Sequence, residues 1–316
     1  MNRRPLTKGK VCVLGSGTMG HGIAQVFAAS SFSVVIYDIN EEVLKVAQKK
    51  IHKNLMLMVE ENYMNFEESE KVLARIVFTT DFAFAVGDAS LVIEAVPEII
   101  ELKKEIYTKL ETLISEDTIV ASNTSTYSIE VLAEDVSFAD RMLVVHFFNP
   151  THLVRLVEVV PSKRTKPEVI DKMMELLINC GKKPVRLQKD IPGFVANRLQ
   201  AAVVREAMYL LEEGVADARD IDSVIADGPG MRWAFDGPIQ IADFGGLDIW
   251  EKVTGNLFPE LDSSKKAPKL ISDKVQENNL GVKTGEGFYQ YEKDEVTLAA
   301  KERDRKLIKL LSIKEM

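Results

Sequence analysis

Two apolar segments of the chain each carry one residue that can move or hold a proton. His146 interrupts one segment and Glu158 interrupts the next, with the turn-like residues 149–152 between them. If the segments lie side by side, the carboxylate can bond one imidazole nitrogen, fix its tautomer and stabilise the imidazolium. The other nitrogen can then accept a proton from a substrate hydroxyl. The alternative is a buried ion pair that only closes the edge of a sheet.

A glycine-rich turn follows the first apolar run, within residues 11–20, and leads into the helix-forming residues 21–29. In a strand–turn–helix unit, Gly15 makes the tight turn, Gly17 lets the backbone approach a pyrophosphate, and Gly20 lets the helix lie close to the strand. The alternative is an ordinary turn in another α/β protein. The predicted dinucleotide-binding turn comprises Gly15, Gly17, Thr18, Met19 and Gly20.

An acidic residue stands where a dinucleotide site needs one. Asp38 ends the second apolar run and lies 38 − 15 = 23 positions after Gly15, close to the roughly 20 expected for the residue that binds the adenine ribose. Ile39 and Asn40 follow it, so no neighbouring arginine is available for a 2′-phosphate. A carboxylate repels that phosphate, and we therefore expect the cofactor to be NAD.

The first half of the chain alternates strand-like and helix-like segments, which is typical of a parallel sheet covered by helices. Ligands of such sheets bind beyond the carboxyl ends of the strands. Polar residues or glycine occupy that place repeatedly. They are Gly15, Asp38, Glu98, Asn123, Ser125 and His146.

The pattern predicts an α/β Rossmann-type domain at residues 1–189 and a mostly α-helical domain at residues 190–316. Strands are predicted at 10–14, 33–37, 91–95, 118–122, 142–147 and 182–188. Helices are predicted at 21–29, 41–59, 102–114, 195–213, 221–226, 269–278 and 296–313. Residues 281–289 are predicted to form a packed loop.

Composition excludes several classes of protein. The 316 residues carry a formal net charge of −8, which argues against a nucleic-acid partner. No apolar run reaches the roughly 18 residues of a membrane span, and the basic start has no apolar core, so a cytoplasmic protein is expected. The only cysteines are Cys12, inside a predicted strand, and Cys180, so neither a disulfide nor a metal site is expected.

Several motifs together resemble the L-3-hydroxyacyl-CoA dehydrogenase family over nearly the whole chain. They lie at residues 15–20, 94–98, 122–125, 146–150, 156–160, 192–199 and 283–289. The resemblance implies NAD-dependent oxidation of an L-3-hydroxyacyl-CoA, such as 3-hydroxybutyryl-CoA, in fatty acid metabolism. It also implies a small-molecule substrate and a homodimer formed through the helical domain.

The resemblance implies a role for individual residues. His146 would be the general base and Glu158 its orienting partner, while Ser125 would bond the substrate oxygen. Asn197 would bind the substrate from the second domain. Asp38 would hold the adenine ribose. The nicotinamide half of the cofactor would meet Glu98, Lys103, Asn123, Ser125 and Asn149.

Two segments depart from the acyl-CoA members. In those members the helix after the second strand meets CoA through serine and lysines, whereas residues 53–64 here are apolar and then acidic. The preceding lysines, Lys49, Lys50 and Lys53, either replace them or form a solvated face. Residues 227–238 resemble the L-gulonate 3-dehydrogenase or lambda-crystallin relatives, and Arg232 there suits a free carboxylate.

Three functions follow from this mixture. Oxidation of a CoA thioester is the first, oxidation of a free 3-hydroxy acid such as L-gulonate is the second, and a non-catalytic NAD-binding or crystallin-like role is the third.

Overall fold

The computed structural model describes residues 9–314, except for the side chains of residues 293 and 294. These residues form two compact units. The first contains residues 9–194 and 304–314, and the second is Val195–Arg303. The sequence predicts the boundary after residue 189, five residues before the boundary in the structure. It also places residues 304–314 in the second domain, whereas the structure groups them with the first unit. Most of the basic start, on which the targeting argument rested, lies outside the described residues.

The first unit is built on one eight-stranded sheet with the order β3-β2-β1-β4-β5-β6-β7-β8. All neighbours are parallel except β6 and β7. The Rossmann-like parallel sheet is therefore confirmed. The strands are β1 Lys10–Leu14, β2 Ser33–Tyr37, β3 Ile76–Thr79, β4 Ala89–Glu94, β5 Ile119–Ser122, β6 Met142–Phe147, β7 Leu156–Pro161 and β8 Lys183–Arg186.

Helices cover both faces of this sheet, and two apolar clusters form its two sides. The central strands are runs of Val, Ile and Leu because both of their faces are buried. The helices of the first unit are α1 Gly20–Ala29, α2 Glu41–Glu60, α3 Phe66–Ala74, α4 Phe82–Val86, α5 Ile100–Leu110, α6 Ile129–Leu132 and α7 Pro167–Asn179, with a 3₁₀ turn at Ala139–Arg141.

The second unit is helical, as predicted. Its helices are α8 Ala196–Glu212, α9 Ala218–Asp227, α10 Pro229–Trp233, α11 Pro238–Gly245, α12 Leu247–Leu257 and α13 Lys269–Gln276. None of these six helices contains a buried residue. Just beyond α8, Gly214 has φ +67°, the left-handed conformation that ends many helices.

The last helix, α14 Lys293–Lys314, begins in the second unit and ends in the first. Its residues Ile308 and Leu311 pack with Leu57, Met58 and Leu153. Beside this apolar contact, the Arg305 guanidinium lies 2.9 Å from Glu61 and 3.5 Å from Glu60. The carboxyl end of α2 is therefore covered by the tail of the chain.

Among the described residues, none of the helices is both long and apolar enough to cross a bilayer.

Candidate active site

The glycine-rich turn between β1 and α1 has the backbone geometry that its sequence predicts. Gly15 has φ +94°, and a Cβ there would lie 2.6 Å from the Ala95 carbonyl oxygen. A Cβ on Gly20 would lie 1.8 Å from the Gly15 carbonyl oxygen. By contrast, a Cβ on Gly17 would meet no atom within 4 Å. Packing within the protein thus requires the first and third glycines, whereas the second borders open space.

A cavity of about 750 Å³ lies at this turn. It is at the carboxyl ends of β2, β1 and β4, where the strand order reverses and where such sheets bind dinucleotides. The turn, the acid after β2 and the acid after β4 all reach it, which fits an extended dinucleotide. Six predicted cofactor residues line it, namely Gly15, Gly17, Thr18, Met19, Asp38 and Glu98.

Asp38 is held by a residue that the sequence interpretation did not single out. Its Oδ2 accepts hydrogen bonds from the Ser16 backbone N–H at 2.9 Å and from the Ser16 hydroxyl at 2.7 Å. Its Oδ1 has only a long contact with the Asn40 N–H, at 3.4 Å. One carboxylate oxygen is therefore fixed, and the other keeps lone pairs suited to a ribose hydroxyl. The sequence signal for Ser16 was its position, since it places a hydroxyl between Gly15 and Gly17 of the motif.

Glu98 joins the cavity to the loop after β5. Its carboxylate accepts hydrogen bonds from the Ser125 N–H at 2.7 Å, the Ser125 hydroxyl at 3.3 Å and the Thr124 hydroxyl at 2.9 Å. Burial by itself would raise the pKa of Glu98. The Ser125 N–H and the nearby Lys103 ammonium outweigh that effect, so the pKa lies below its usual value. Glu98 is therefore an anion that positions Ser125.

Beneath Glu98 lies a buried polar cluster centred on Glu94. The Glu94 carboxylate accepts hydrogen bonds from Lys103 at 2.7 Å, Tyr107 at 2.8 Å and Ser122 at 2.6 Å. Lys103 is only 1% exposed and also contacts Glu98 at 3.2 Å. Lys103, predicted to meet the cofactor, thus lies below the cavity wall and supports Glu98. The sequence signal for this cluster is Glu94, the only acid in the apolar strand β4, and the sequence interpretation gave it no role.

The predicted pairing of the two apolar segments is present as a strand pair. His146 on β6 and Glu158 on β7 are directly opposite in the antiparallel register, which places their side chains on one face. Nδ1 of His146 donates to Oε2 of Glu158 at 2.9 Å, with both residues buried. Within the described part of the chain, no hydrogen-bond partner of Nε2 is found. The imidazole therefore has one nitrogen fixed and one available to take a proton.

Two aromatic rings enclose His146. The Phe148 ring centroid lies 4.5 Å from that of the imidazole, and the Phe194 ring centroid lies 5.4 Å away. An apolar surround strengthens the interaction of the imidazolium with Glu158 because it excludes water. This arrangement would favour the pairing of a positively charged imidazole with Glu158.

The other predicted residues occupy varied positions. The Asn123 side-chain oxygen accepts the Phe147 N–H at 2.9 Å, which ties the ends of β5 and β6 together. Asn149 is exposed and precedes a cis peptide bond to Pro150. Asn197 is half-buried on α8 in the second unit. Their contact with a ligand stays a prediction.

Among residues 9–314, no group of three or more His, Cys, Asp or Glu side chains is arranged to hold a metal ion.

Two family models match consecutive parts of the chain. The model described as the 3-hydroxyacyl-CoA dehydrogenase NAD binding domain matches residues 10–191. The model described as the 3-hydroxyacyl-CoA dehydrogenase C-terminal domain matches residues 193–291. Together they take in both structural units but stop before α14.

Curated relatives fall into two substrate classes. The 5-formyl-3-hydroxy-2-methylpyridine 4-carboxylate 5-dehydrogenase of Mesorhizobium japonicum is 34% identical over 96% of this chain and 98% of its own length. The human mitochondrial hydroxyacyl-coenzyme A dehydrogenase is 36% identical over 89% of this chain and 90% of its own.

A solved structure resembles the whole chain. It is described as a 5-formyl-3-hydroxy-2-methylpyridine 4-carboxylic acid 5-dehydrogenase, an NAD⁺ dependent dismutase. It superposes with a TM-score of 0.91 at 33% identity, over 97% of this chain and 98% of its own.

Proposed function

This chain belongs to the 3-hydroxyacyl-CoA dehydrogenase family, and we propose that it oxidises a small free carboxylic acid at a CH–OH group, with His146 as the general base. It is an NAD-dependent oxidoreductase, like the family. The observation that carries the proposed base is the buried pair of His146 and Glu158, with Nε2 left to accept a proton.

NAD, when bound, would supply the acceptor for a hydride from the carbon that carries the hydroxyl. His146 takes the hydroxyl proton at Nε2 as that carbon becomes a carbonyl. Glu158 keeps the other proton on Nδ1 and balances the positive charge that the imidazole gains. Ser125, anchored to Glu98, lies in the loop that would bond the substrate oxygen. Proton transfer by a positioned histidine contributes typically about 10²–10⁴-fold to such a rate.

The carboxyl end of α2 supports a substrate without coenzyme A. In the acyl-CoA members that this chain resembles, the helix after the second strand meets the CoA moiety. Here that helix ends in Glu60 and Glu61, which repel phosphates. Both acids pair with Arg305 of α14, and α14 covers the apolar side chains of Leu57 and Met58. The face that pantetheine would need is therefore occupied by the chain itself.

The tail helix α14 lies beyond the family models but within the range of solved relatives. The C-terminal family model ends at residue 291, before α14. The match to the solved pyridine-carboxylate dehydrogenase leaves out only 3% of 316 residues, or about 10, fewer than the 22 of α14. At least part of this helix therefore has a counterpart in that structure, but a solved 3-hydroxyacyl-CoA dehydrogenase from Archaeoglobus fulgidus also covers 96% of this chain, so α14 does not separate the two substrate classes.

Oxidation of a 3-hydroxyacyl-CoA is the second candidate. Its support is the 36% identity to the human hydroxyacyl-coenzyme A dehydrogenase over 89% of the chain. Lys49, Lys50 and Lys53 are exposed on α2 and offer cations to a nucleotide, although a solvated lysine face explains them equally well.

One pair of substrates separates the candidates. NAD reduction is followed with 3-hydroxybutyrate and with 3-hydroxybutyryl-CoA, which differ only in the carrier of the acyl group. L-gulonate extends the free-acid series, and so does 5-formyl-3-hydroxy-2-methylpyridine 4-carboxylate, whose formyl group presents a CH–OH as its hydrate. We expect kcat/KM for a free acid of this series to exceed that for the thioester by at least about tenfold, a difference near 1.4 kcal/mol. A preference for the thioester would establish the second candidate, and no turnover of any substrate would overturn both.

A variant sharpens this test. Arg232 is exposed on α10 and can hold a free carboxylate by two parallel hydrogen bonds. Arg232→Met should lower kcat/KM for the free acid and spare the thioester. Arg219→Met removes the same charge from an exposed site on α9 and serves as the control.

We also propose that two copies of the chain associate through the second unit. Its helices α8–α13 bury no residue, although they carry large apolar side chains. Among the exposed ones are Trp233, Ile239, Phe244, Leu247 and Phe258. A second copy of the same unit would cover such faces and give each helix the burial that normally stabilises it.

A further inference from the structure

Three charged side chains are stacked from the interior of the first unit towards the cofactor cavity. Glu94 is fully buried, Lys103 is 1% exposed, and Glu98 reaches the cavity wall. Lys103 lies between the two acids, 2.7 Å from Glu94 and 3.2 Å from Glu98. We call these three residues the buried triad.

The hydrogen bonds of Glu94 fit a carboxylate, which only accepts them. Its two oxygens receive four donors, which are Lys103, Tyr107, Ser122 and the Val96 backbone N–H. A protonated carboxyl would need an acceptor for its own proton, and a carboxylate does not. Burial and the adjacent carboxylate raise the pKa of Tyr107 well above its usual value, so the phenol keeps the proton that it donates.

The charges of the buried triad do not cancel. Glu98 accepts three hydrogen bonds from Thr124 and Ser125 in addition to its contact with Lys103, and it is an anion as well. Two carboxylates and one ammonium leave one net negative charge. Among the described residues, Lys103 is the only cation paired with either acid. The uncompensated charge is presented on the cavity side, at Glu98.

A negative charge at this point has a different effect on the two forms of the cofactor. The nicotinamide ring is a cation in NAD⁺ and is neutral in NADH. We propose that the buried triad makes the site bind NAD⁺ more tightly, relative to NADH, than its uncharged contacts alone would. This rests on the proposed function, in which the nicotinamide half of the cofactor meets Glu98.

The proposal gives the deeper residues a role in the reaction. Tyr107 and Ser122 do not reach the cavity, but they hold Glu94 as an anion, and Glu94 fixes Lys103. The charge that attracts the oxidised ring no longer favours the reduced one, so the site takes up NAD⁺ in preference to NADH. Release of NADH is eased for the same reason.

Removal of the charge at Glu98 tests the proposal without any turnover. The dissociation constants of NAD⁺ and NADH are measured by calorimetry and by NADH fluorescence for the full chain and for Glu98→Gln. We expect the ratio Kd(NADH)/Kd(NAD⁺) to fall about three- to tenfold, as for one charge acting across a partly hydrated gap. Glu94→Gln, which alters no group at the cavity wall, should move the ratio in the same direction.

Two control variants separate charge from contact. Glu98→Asp keeps the charge, and Glu101→Gln removes a charge from an exposed site on α5, three residues after Glu98. Both should leave the ratio within about twofold of the parent chain. An equal weakening of both forms by Glu98→Gln, or an equal effect of Glu101→Gln, would refute the proposal. A parent chain that binds neither form would overturn the proposed function instead.

Discussion

At the scale of single side chains, Glu158 decides which nitrogen of His146 carries a proton. An ionised carboxylate only accepts hydrogen bonds, so the proton of the neutral imidazole sits on Nδ1. A glutamine at this position offers an N–H₂ group as well, and it can invert the tautomer. The reactive nitrogen would then carry a proton and could not act as a base.

We expect His146→Gln and Glu158→Gln each to lower kcat by about 10²–10⁴-fold. NAD affinity should change by less than about twofold, since neither side chain lines the cofactor cavity. Steady-state kinetics together with NAD titration checks this prediction. Glu168→Gln, at an exposed position on α7, is the control and should behave like the parent chain. Full turnover by His146→Gln would show that another group is the base.

The residues of the site were predictable where one short segment contains the whole signal. Asp38 and the glycines could be found because a dinucleotide turn has a fixed spacing. His146 and Glu158 could be paired because each is the lone titratable residue of an apolar segment. Tyr107 could not, since its role depends on which side chains lie across the neighbouring strand.

At the scale of elements, the tail helix α14 is held by its apolar face. Ile308 is 1% exposed where it packs on α2, whereas Ile313 on the same helix is 54% exposed. We expect Ile308→Ala to lower the free energy of unfolding of the first unit by about 2–4 kcal/mol. Ile313→Ala should cost less than about 0.5 kcal/mol. Chemical denaturation of both variants checks this, and equal losses would contradict the packing described here.

Elements were predictable where apolar residues cluster along the chain. β1, β2 and β6 begin and end at the predicted residues because each is a run of β-branched or apolar residues bounded by polar residues or glycine. β3 was not predicted. It has only four residues at the edge of the sheet, and its apolar run, at residues 76–78, is too short to identify a strand from sequence. Its existence depends on pairing with β2.

At the scale of the whole molecule, the exposed apolar helices of the second unit predict a dimer. We expect sedimentation equilibrium at micromolar concentration to give twice the mass of one chain. Phe244→Asp, at a site that is 73% exposed, should shift the equilibrium towards single chains. Ile178→Asp, at an exposed apolar site on α7 of the first unit, should leave it unchanged. A parent chain that sediments as a monomer would refute the association.

The return of the tail to the first unit could not be predicted. Arg305 and Glu61 are 244 residues apart in sequence, and no local pattern reports a contact at that separation. The apolar spacing of residues 296–313 predicts a helix, but it does not indicate which surface that helix will cover. Such assignments need the tertiary structure.

The route of the chain has a consequence for its synthesis. A ribosome makes the strands of the sheet first, the second unit next, and Leu311 after both. Until Leu311 emerges, the side chains of Leu57 and Met58 on α2 and of Leu153 in the turn after β6 lack the helix that covers them. The nascent first unit therefore carries an exposed apolar patch during the translation of more than a hundred codons. A chaperone that shields apolar surface could bind the chain at this patch.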